Sequence, residues 1–173
     1  MSGLIINCIE LESPIGPLVL AAAGDRLCHI EFGHVADVEP QLTKWSAKWY
    51  STSQWNQDAT PVLLEAAAQL EQYFAGQRTE FDVPLDLQGT PFQIRVWKAL
   101  TDIPYGQVRS YKQIGQAIQS EKAVRAVGGA NNRNPVPIIV PCHRVIGADG
   151  SLVGYGGGLN VKIHLLQHEG YAV

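Results

Sequence analysis

Two short signatures fix how the second half of this chain must fold. Thr90-Pro91-Phe92-Gln93 and Ser110-Tyr111-Lys112-Gln113 each place a hydroxyl residue three positions before a glutamine. That spacing is a capping box, in which the hydroxyl accepts from the N3 N–H and the glutamine reaches back to the cap's own N–H. Each predicts a helix start, the first strengthened by proline at the first helical position. The helices run through Leu100, broken by Ile103-Pro104-Tyr105-Gly106, and from Tyr111 to about Ile118. Ser120 then reads as the cap of a third helix, Glu121 to Ala130, stopped by Asn131-Asn132. Two short helices joined by a brief turn, the second carrying Lys122 and Arg125, predict a helix-turn-helix. A last helix over Asn160 to Glu169 ends on Gly170 at the C′ position.

The first half has a different grammar. Leu4 to Leu11, Pro17 to Ala23 and Leu27 to Phe32 are aliphatic runs separated by Ser13-Pro14-Ile15-Gly16 and Gly24-Asp25-Arg26, which predicts a β-meander. A helix from Val38 toward Tyr50 and a polar loop follow, with Trp45, Trp49 and Trp55 as packing residues. Thr60-Pro61 opens a further helix with Leu63, Leu64, Ala67, Leu70 and Phe74 on its apolar face, ended by Gly76. Thr79 to Val83 is expected to return as a strand, and Asp86-Leu87-Gln88-Gly89 reads as a linker. The expected fold class is therefore α+β, with a small N-terminal α/β domain over residues 1–87 and a mostly helical domain over residues 88–173.

Composition bounds the rest. The chain has 173 residues, 46% hydrophobic and 17% charged, which describes a folded globular protein and not a disordered one. No apolar run is long enough to predict a membrane span, and residues 1–12 lack the features of a signal peptide. Three cysteines without a regular framework favour free thiols in a reducing cytoplasm. Cys8, Cys28 and His29 have no metal-ligand spacing, and Gly154 to Gly158 lacks the Lys-Ser/Thr of a phosphate loop. No metal and no cofactor are expected. The formal charge of −3 conceals an asymmetry: residues 1–90 carry −8 and residues 91–173 carry +5. Basic residues gathered in the helix-turn-helix half fit the electrostatic footprint of a DNA-facing domain and, by charge alone, equally an ordinary solvated basic face.

The chemistry concentrates at Pro141-Cys142-His143-Arg144, delivered by the apolar run Val136 to Val140. A thiolate is a soft nucleophile, and neighbouring positive charge or a histidine lowers a thiol's pKa; His143 and Arg144 are both candidates for that role. Taken alone, a Cys-His pair is commonly core packing. The surroundings add to it. Arg125-Ala126-Val127-Gly128-Gly129-Ala130, then Asn134 to Gly147, then Gly154-Tyr155-Gly156-Gly157-Gly158 and His168-Glu169-Gly170-Tyr171 follow in order. Together they closely resemble the active-site half of the O6-alkylguanine-DNA alkyltransferases, the methylated-DNA–protein-cysteine methyltransferases.

The resemblance implies a direct-reversal repair protein with an RNase H-like N-terminal supporting domain. Its substrate would be double-stranded DNA containing O6-alkylguanine, with O4-alkylthymine as a further candidate. It implies Cys142 as the alkyl acceptor, His143 as a base acting through a water, and Glu169 as the group that holds the imidazole. Tyr111 matches a proton donor to the base, and Lys162 a lysine near that tyrosine. Asn134 matches a brace for the loop before the cysteine. Val145 and Gly156 match backbone contacts to the base, and Tyr155 lies on a covering loop. Arg125 matches the residue that replaces an extruded base in the stack, with Ala126 among the small residues flanking it. The resemblance further implies a monomer with room for several molecules along one DNA, single turnover, and a form without the regulatory metal-thiolate domain. Two readings from other classes stand beside it: a cysteine hydrolase using Cys142, His143 and Glu169, and a damage-binding module that transfers nothing.

Overall fold

The computed structural model describes residues 4–173, so the expectation made for the N-terminus lies outside the described residues at positions 1–3. The chain forms two compact units, residues 1–88 and 89–173. Among the described residues the first has four strands, β1 (Ile6–Leu11), β2 (Leu18–Ala23), β3 (Arg26–Phe32) and β4 (Trp55–Gln57), and two helices, α1 (Val35–Tyr50) and α2 (Pro61–Phe74). β1, β2 and β3 form the expected antiparallel meander, with Ile6 opposite Ala23 and Leu18 opposite Phe32. Gly16, at φ +102°, supplies the first turn, and the Ser13 hydroxyl donates to its carbonyl at 2.6 Å. β2 reads as a continuous apolar run because both its faces are covered. Val19 and Ala21 join Ile6, Cys8 and Cys28 against Val38 and Leu42 of α1, and α2 packs across β2 from the other face.

Three features depart from expectation, each for a reason remote in sequence. α1 starts at Val35, not Val38, because the Glu10 carboxylate on β1 accepts from the Val35 N–H at 2.8 Å. The polar stretch after Tyr50 contains β4, which pairs in parallel with β1 and makes the sheet mixed; Trp55 Nε1 ties it to Ser46 of α1 at 2.9 Å. Thr79 to Val83 is not a strand. Gln69 of α2 accepts from the Asp82 N–H at 3.1 Å, and only Leu85 bridges to Leu27 on the sheet edge.

The second unit holds α3 (Pro91–Thr101), β5 (Arg109–Ser110), α4 (Tyr111–Ala117), α5 (Val124–Asn132), a 3₁₀ turn at Cys142–Arg144, β6 (Val145–Ile146) and α6 (Leu159–His168). Both capping boxes form, at Thr90 and Ser110. The third expected cap does not. Ser120 gives its carbonyl to the Ala123 N–H, and α5 begins at Val124 without a side-chain cap. The α4–α5 turn is tight: a Cβ on Gly115 would sit 3.0 Å from the Ser120 carbonyl. Buried Trp97 of α3 donates to the Ala130 carbonyl at 2.8 Å and pins the end of α5. β5 and β6 pair in parallel over only two residues, Arg109 with Val145 and Ser110 with Ile146. Because α4 begins directly after β5, and β6 directly follows Cys142–Arg144, this short ladder sets Tyr111 beside the cysteine turn.

No helix among the described residues is long and apolar enough to cross a membrane. The caps give a stability test. Ser110→Ala removes a formed capping box and should cost about 1 kcal/mol in urea denaturation. Thr60 precedes α2 at the cap position but makes no side-chain cap hydrogen bond, so Thr60→Ala should stay within about 0.5 kcal/mol of wild type. Equal losses would contradict the assignment.

Candidate active site

The segment from Asn134 to Val140 presents Cys142 through an internal scaffold. Asn134 Nδ2 donates to the Val140 carbonyl at 2.7 Å, and its Oδ1 accepts from the Val136 N–H at 3.0 Å. Ile138 is held at φ +75°, in the left-handed region a β-branched residue avoids. The Cys142 N–H returns to the Val140 carbonyl at 2.8 Å. From α5, Asn131 Nδ2 donates to the Cys142 carbonyl at 3.3 Å. Asn131 was not among the expected site residues; its only sequence signal is a polar side chain at the end of an otherwise small-residue helix.

Within the 3₁₀ turn the side chains of Cys142, His143 and Arg144 are all buried. His143 Nε2 lies 2.8 Å from Glu169 Oε2. A carboxylate can only accept, so Nε2 carries the proton and Nδ1 is the bare nitrogen. Nδ1 is buried without a hydrogen-bond partner. Arg144 grips the same carboxylate with a fork, Nε to Oε1 at 2.7 Å and Nη2 to Oε2 at 2.9 Å, while Nη1 donates to the Ile103 carbonyl at 2.6 Å. Arg144 is thus turned toward Glu169 and is not the positive charge that acts on the thiol. Lys162 has that role. Its fully buried Nζ donates to the Val145 carbonyl at 2.6 Å and lies 3.4 Å from those of Val153 and Gly154, 6.0 Å from the Tyr111 ring centre.

Burial pushes the Cys142 thiol up; contacts from Asn134 and Tyr155 and the charge of Lys162 pull it down without prevailing. The surroundings therefore do not depress the Cys142 pKa, and the cysteine rests as a thiol. Burial likewise lowers His143, outweighing Glu169, which favours its charged form; Arg144 and Lys162 lower it further. Burial would raise Glu169, but hydrogen bonds from His143 and Arg144 hold it well below the usual carboxylate range. Lys162 is lowered by burial, with Cys142 opposing.

Other expected residues are placed as follows. The Tyr111 hydroxyl donates to the Val153 carbonyl at 3.0 Å, and burial raises its pKa. Tyr155 lies between Gly154, at φ +50°, and Gly158, at φ +96°. A Cβ on Gly156 would meet only the Asn132 carbonyl, at 3.8 Å, so space alone does not demand glycine there. Arg125, Ala126 and Gly129 are exposed on α5, and the structure does not bring Arg125 to the thiol. Among the described residues the one three-membered group with metal-ligand proximity is exposed Glu10, Glu12 and His34, and it includes neither cysteine of the first unit. Cys28 is pushed up to about 12, chiefly by burial.

Residues 91–171 match the family described as 6-O-methylguanine DNA methyltransferase, DNA binding domain, and residues 6–87 match its ribonuclease-like domain. The chain belongs to the 6-O-methylguanine DNA methyltransferase family. It is 48% identical to the methylated-DNA–protein-cysteine methyltransferase of Mycobacterium leprae over 98% of this chain and 95% of that one. It is 46% identical to the constitutive enzyme of Bacillus subtilis, covering 91% and 92%. The crystal structure of Mycobacterium tuberculosis OGT in complex with DNA superposes with a TM-score of 0.80 at 49% identity, covering 94% of this chain and 92% of that one.

The buried triad predicts acid sensitivity. His143 and Glu169 both have depressed pKa values in the folded state, so the stability they contribute is full above their unfolded values and lost as pH falls through the folded ones. For His143 the loss begins below about pH 6.5, and for Glu169 below about 4.3. The melting temperature should fall between pH 7 and 5, and His143→Gln should shrink that fall. An equal fall in the variant would contradict the assignment.

Proposed function

We propose that this chain repairs double-stranded DNA by accepting the alkyl group of O6-alkylguanine on Cys142. The observation that carries the reading is a buried cysteine followed in the chain by a buried imidazole, one of whose nitrogens, Nε2, is held by Glu169 at 2.8 Å while the other, Nδ1, has no hydrogen-bond partner. Removing an alkyl group requires in-line attack on an sp³ carbon, which suits sulfur. Once base binding opens the site, His143 Nδ1 takes the thiol proton through a water. The S–C bond then forms as the C–O6 bond breaks, the electron pair moves into the purine, and the base takes a proton from Tyr111. To do so the Tyr111 hydroxyl leaves the Val153 carbonyl, which links proton donation to movement of the covering loop.

A base within the duplex is inaccessible and must be extruded. Exposed Arg125 on α5 is the candidate to fill the gap, and small Ala126 beside it lets the helix approach the sugar-phosphate walls. The basic balance of residues 91–173 supports this face as the DNA side, with residues 1–87 as a supporting domain. Val145 and Gly156 contact the extruded base through backbone, Tyr155 covers it, and Lys162 anchors the covering loop. The product is a thioether, which has no carbonyl for water to attack, so transfer is irreversible and ends after one event. O4-alkylthymine is a second substrate on the same logic. The protein acts as a monomer in the cytoplasm, several molecules being able to occupy one DNA.

Duplex DNA carrying labelled O6-methylguanine should transfer its label to the peptide containing Pro141 to Arg144. Cys142→Ser should bind the same DNA without transfer, whereas Cys8→Ser and Cys28→Ser should transfer normally. Label on another peptide, or transfer by Cys142→Ser, would refute the proposal. Arg125→Ala should slow repair of duplex DNA at least about tenfold more than reaction with free O6-benzylguanine, because extrusion costs a few kcal/mol and only the duplex pays it. Equal slowing would remove Arg125 from that role.

A further inference from the structure

The Glu169 carboxylate is shared by two buried side chains, His143 and Arg144, and the division between them is uneven. Arg144 occupies both oxygens through its fork, while His143 shares Oε2. The guanidinium is itself fixed from outside the site by the Ile103 carbonyl and lies 5.8 Å from the Tyr105 ring centre. A buried carboxylate facing an imidazole alone would favour its charged form, by one to three pH units at such distances. An imidazolium cannot accept a proton from a thiol.

We infer that Arg144 is a positioning residue for alkyl transfer: by neutralising Glu169 from the side away from the thiol, it lets the carboxylate orient the His143 ring without charging it. The inference deepens the functional reading above and rests on it for the identity of the base. It assigns to Glu169 a directional duty and to Arg144 the charge that makes the duty compatible with a neutral base. The charged and titratable groups acting on His143 come from every side of the turn: Glu169 and Lys162 from α6 and its end, and Arg144 from the turn itself. Cys142 adjoins it, and Tyr105 faces Glu169 and Arg144 from the segment after α3. Two cations and one carboxylate around a neutral ring leave burial to decide, in agreement with the lowered His143. Lysine cannot replicate the arrangement, since one ammonium cannot span both carboxylate oxygens and the Ile103 carbonyl as the planar fork does.

The test is imidazole nitrogen NMR across a pH titration, with the His143 signals assigned by their loss in His143→Gln. Wild type should show a neutral ring protonated on Nε2, titrating below about 6.5. Arg144→Met should raise the midpoint by about one unit or more, and Arg144→Met/Glu169→Gln should return it toward wild type. An unmoved midpoint in Arg144→Met would overturn the inference. Should that variant not fold, Glu169→Gln and the double variant decide: the midpoint should be higher in the double, and equal midpoints would overturn the inference. The rate of Cys142 alkylation by free O6-benzylguanine should move in parallel, with Arg144→Met slowed about tenfold at pH 6 and recovering as pH rises. Slowing by one factor at every pH would make Arg144 merely structural. If wild type is not alkylated at all, the functional reading fails, while the NMR titration still decides the charge balance.

Discussion

A carboxylate at 5% exposure, far from bulk water, depends entirely on what surrounds it. Glu169 would be strongly destabilising unpaired, since leaving one member of a buried ion pair alone costs about 3–5 kcal/mol. Its pairing by both His143 and Arg144 ties the end of α6 to the 3₁₀ turn, and through Ile103 to the segment after α3. The direction of the His143 ring, the bare nitrogen and the placement of Cys142 all follow from that junction. The two-residue β5–β6 ladder then carries the geometry across to Tyr111. A small unit with few strands thus fixes its reactive groups by side-chain hydrogen bonds and one short backbone pairing.

The same burial that fixes the site restrains it. Cys142 rests as a thiol, and the residues that would act on a bound base are engaged with the covering loop. Tyr111 donates to Val153, and Lys162 reaches Val145, Val153 and Gly154. Under the roles proposed above, the cysteine, Tyr111 and the loop over residues 153–155 are joined through these contacts and that of Tyr155 with Cys142.

The parts of this structure that were legible in the sequence are those governed by local chemistry. Both capping boxes formed because donor and acceptor lie three residues apart. The meander followed from apolar runs separated by turn residues. What escaped notice was settled by partners distant in the chain: the start of α1 by Glu10, the parallel strand β4 by β1, and the failed strand near Asp82 by Gln69. Ser120 is not the cap because it belongs to the close turn that Gly115 permits, its N–H bonded to the Gly115 carbonyl, and α5 starts only after it, at Val124. Arg144 was visible as a cation next to a thiol, but successive residues of a 3₁₀ turn point about 120° apart. Its direction was therefore not readable from adjacency. The charge that reaches the thiol belongs to Lys162, twenty positions later, which the resemblance placed near Tyr111 but whose action on the thiol follows from the packing of α6 against the turn.

The central claim is that the junction built around Cys142 performs one alkyl transfer and no more. Intact-mass measurement with a several-fold excess of duplex DNA containing O6-methylguanine tests it most directly. The account predicts that repaired guanine accumulates to one equivalent of active protein and then stops, with each molecule heavier by one methyl group in place of one hydrogen. Continued repair beyond one equivalent, or repair that leaves the protein mass unchanged, would contradict it.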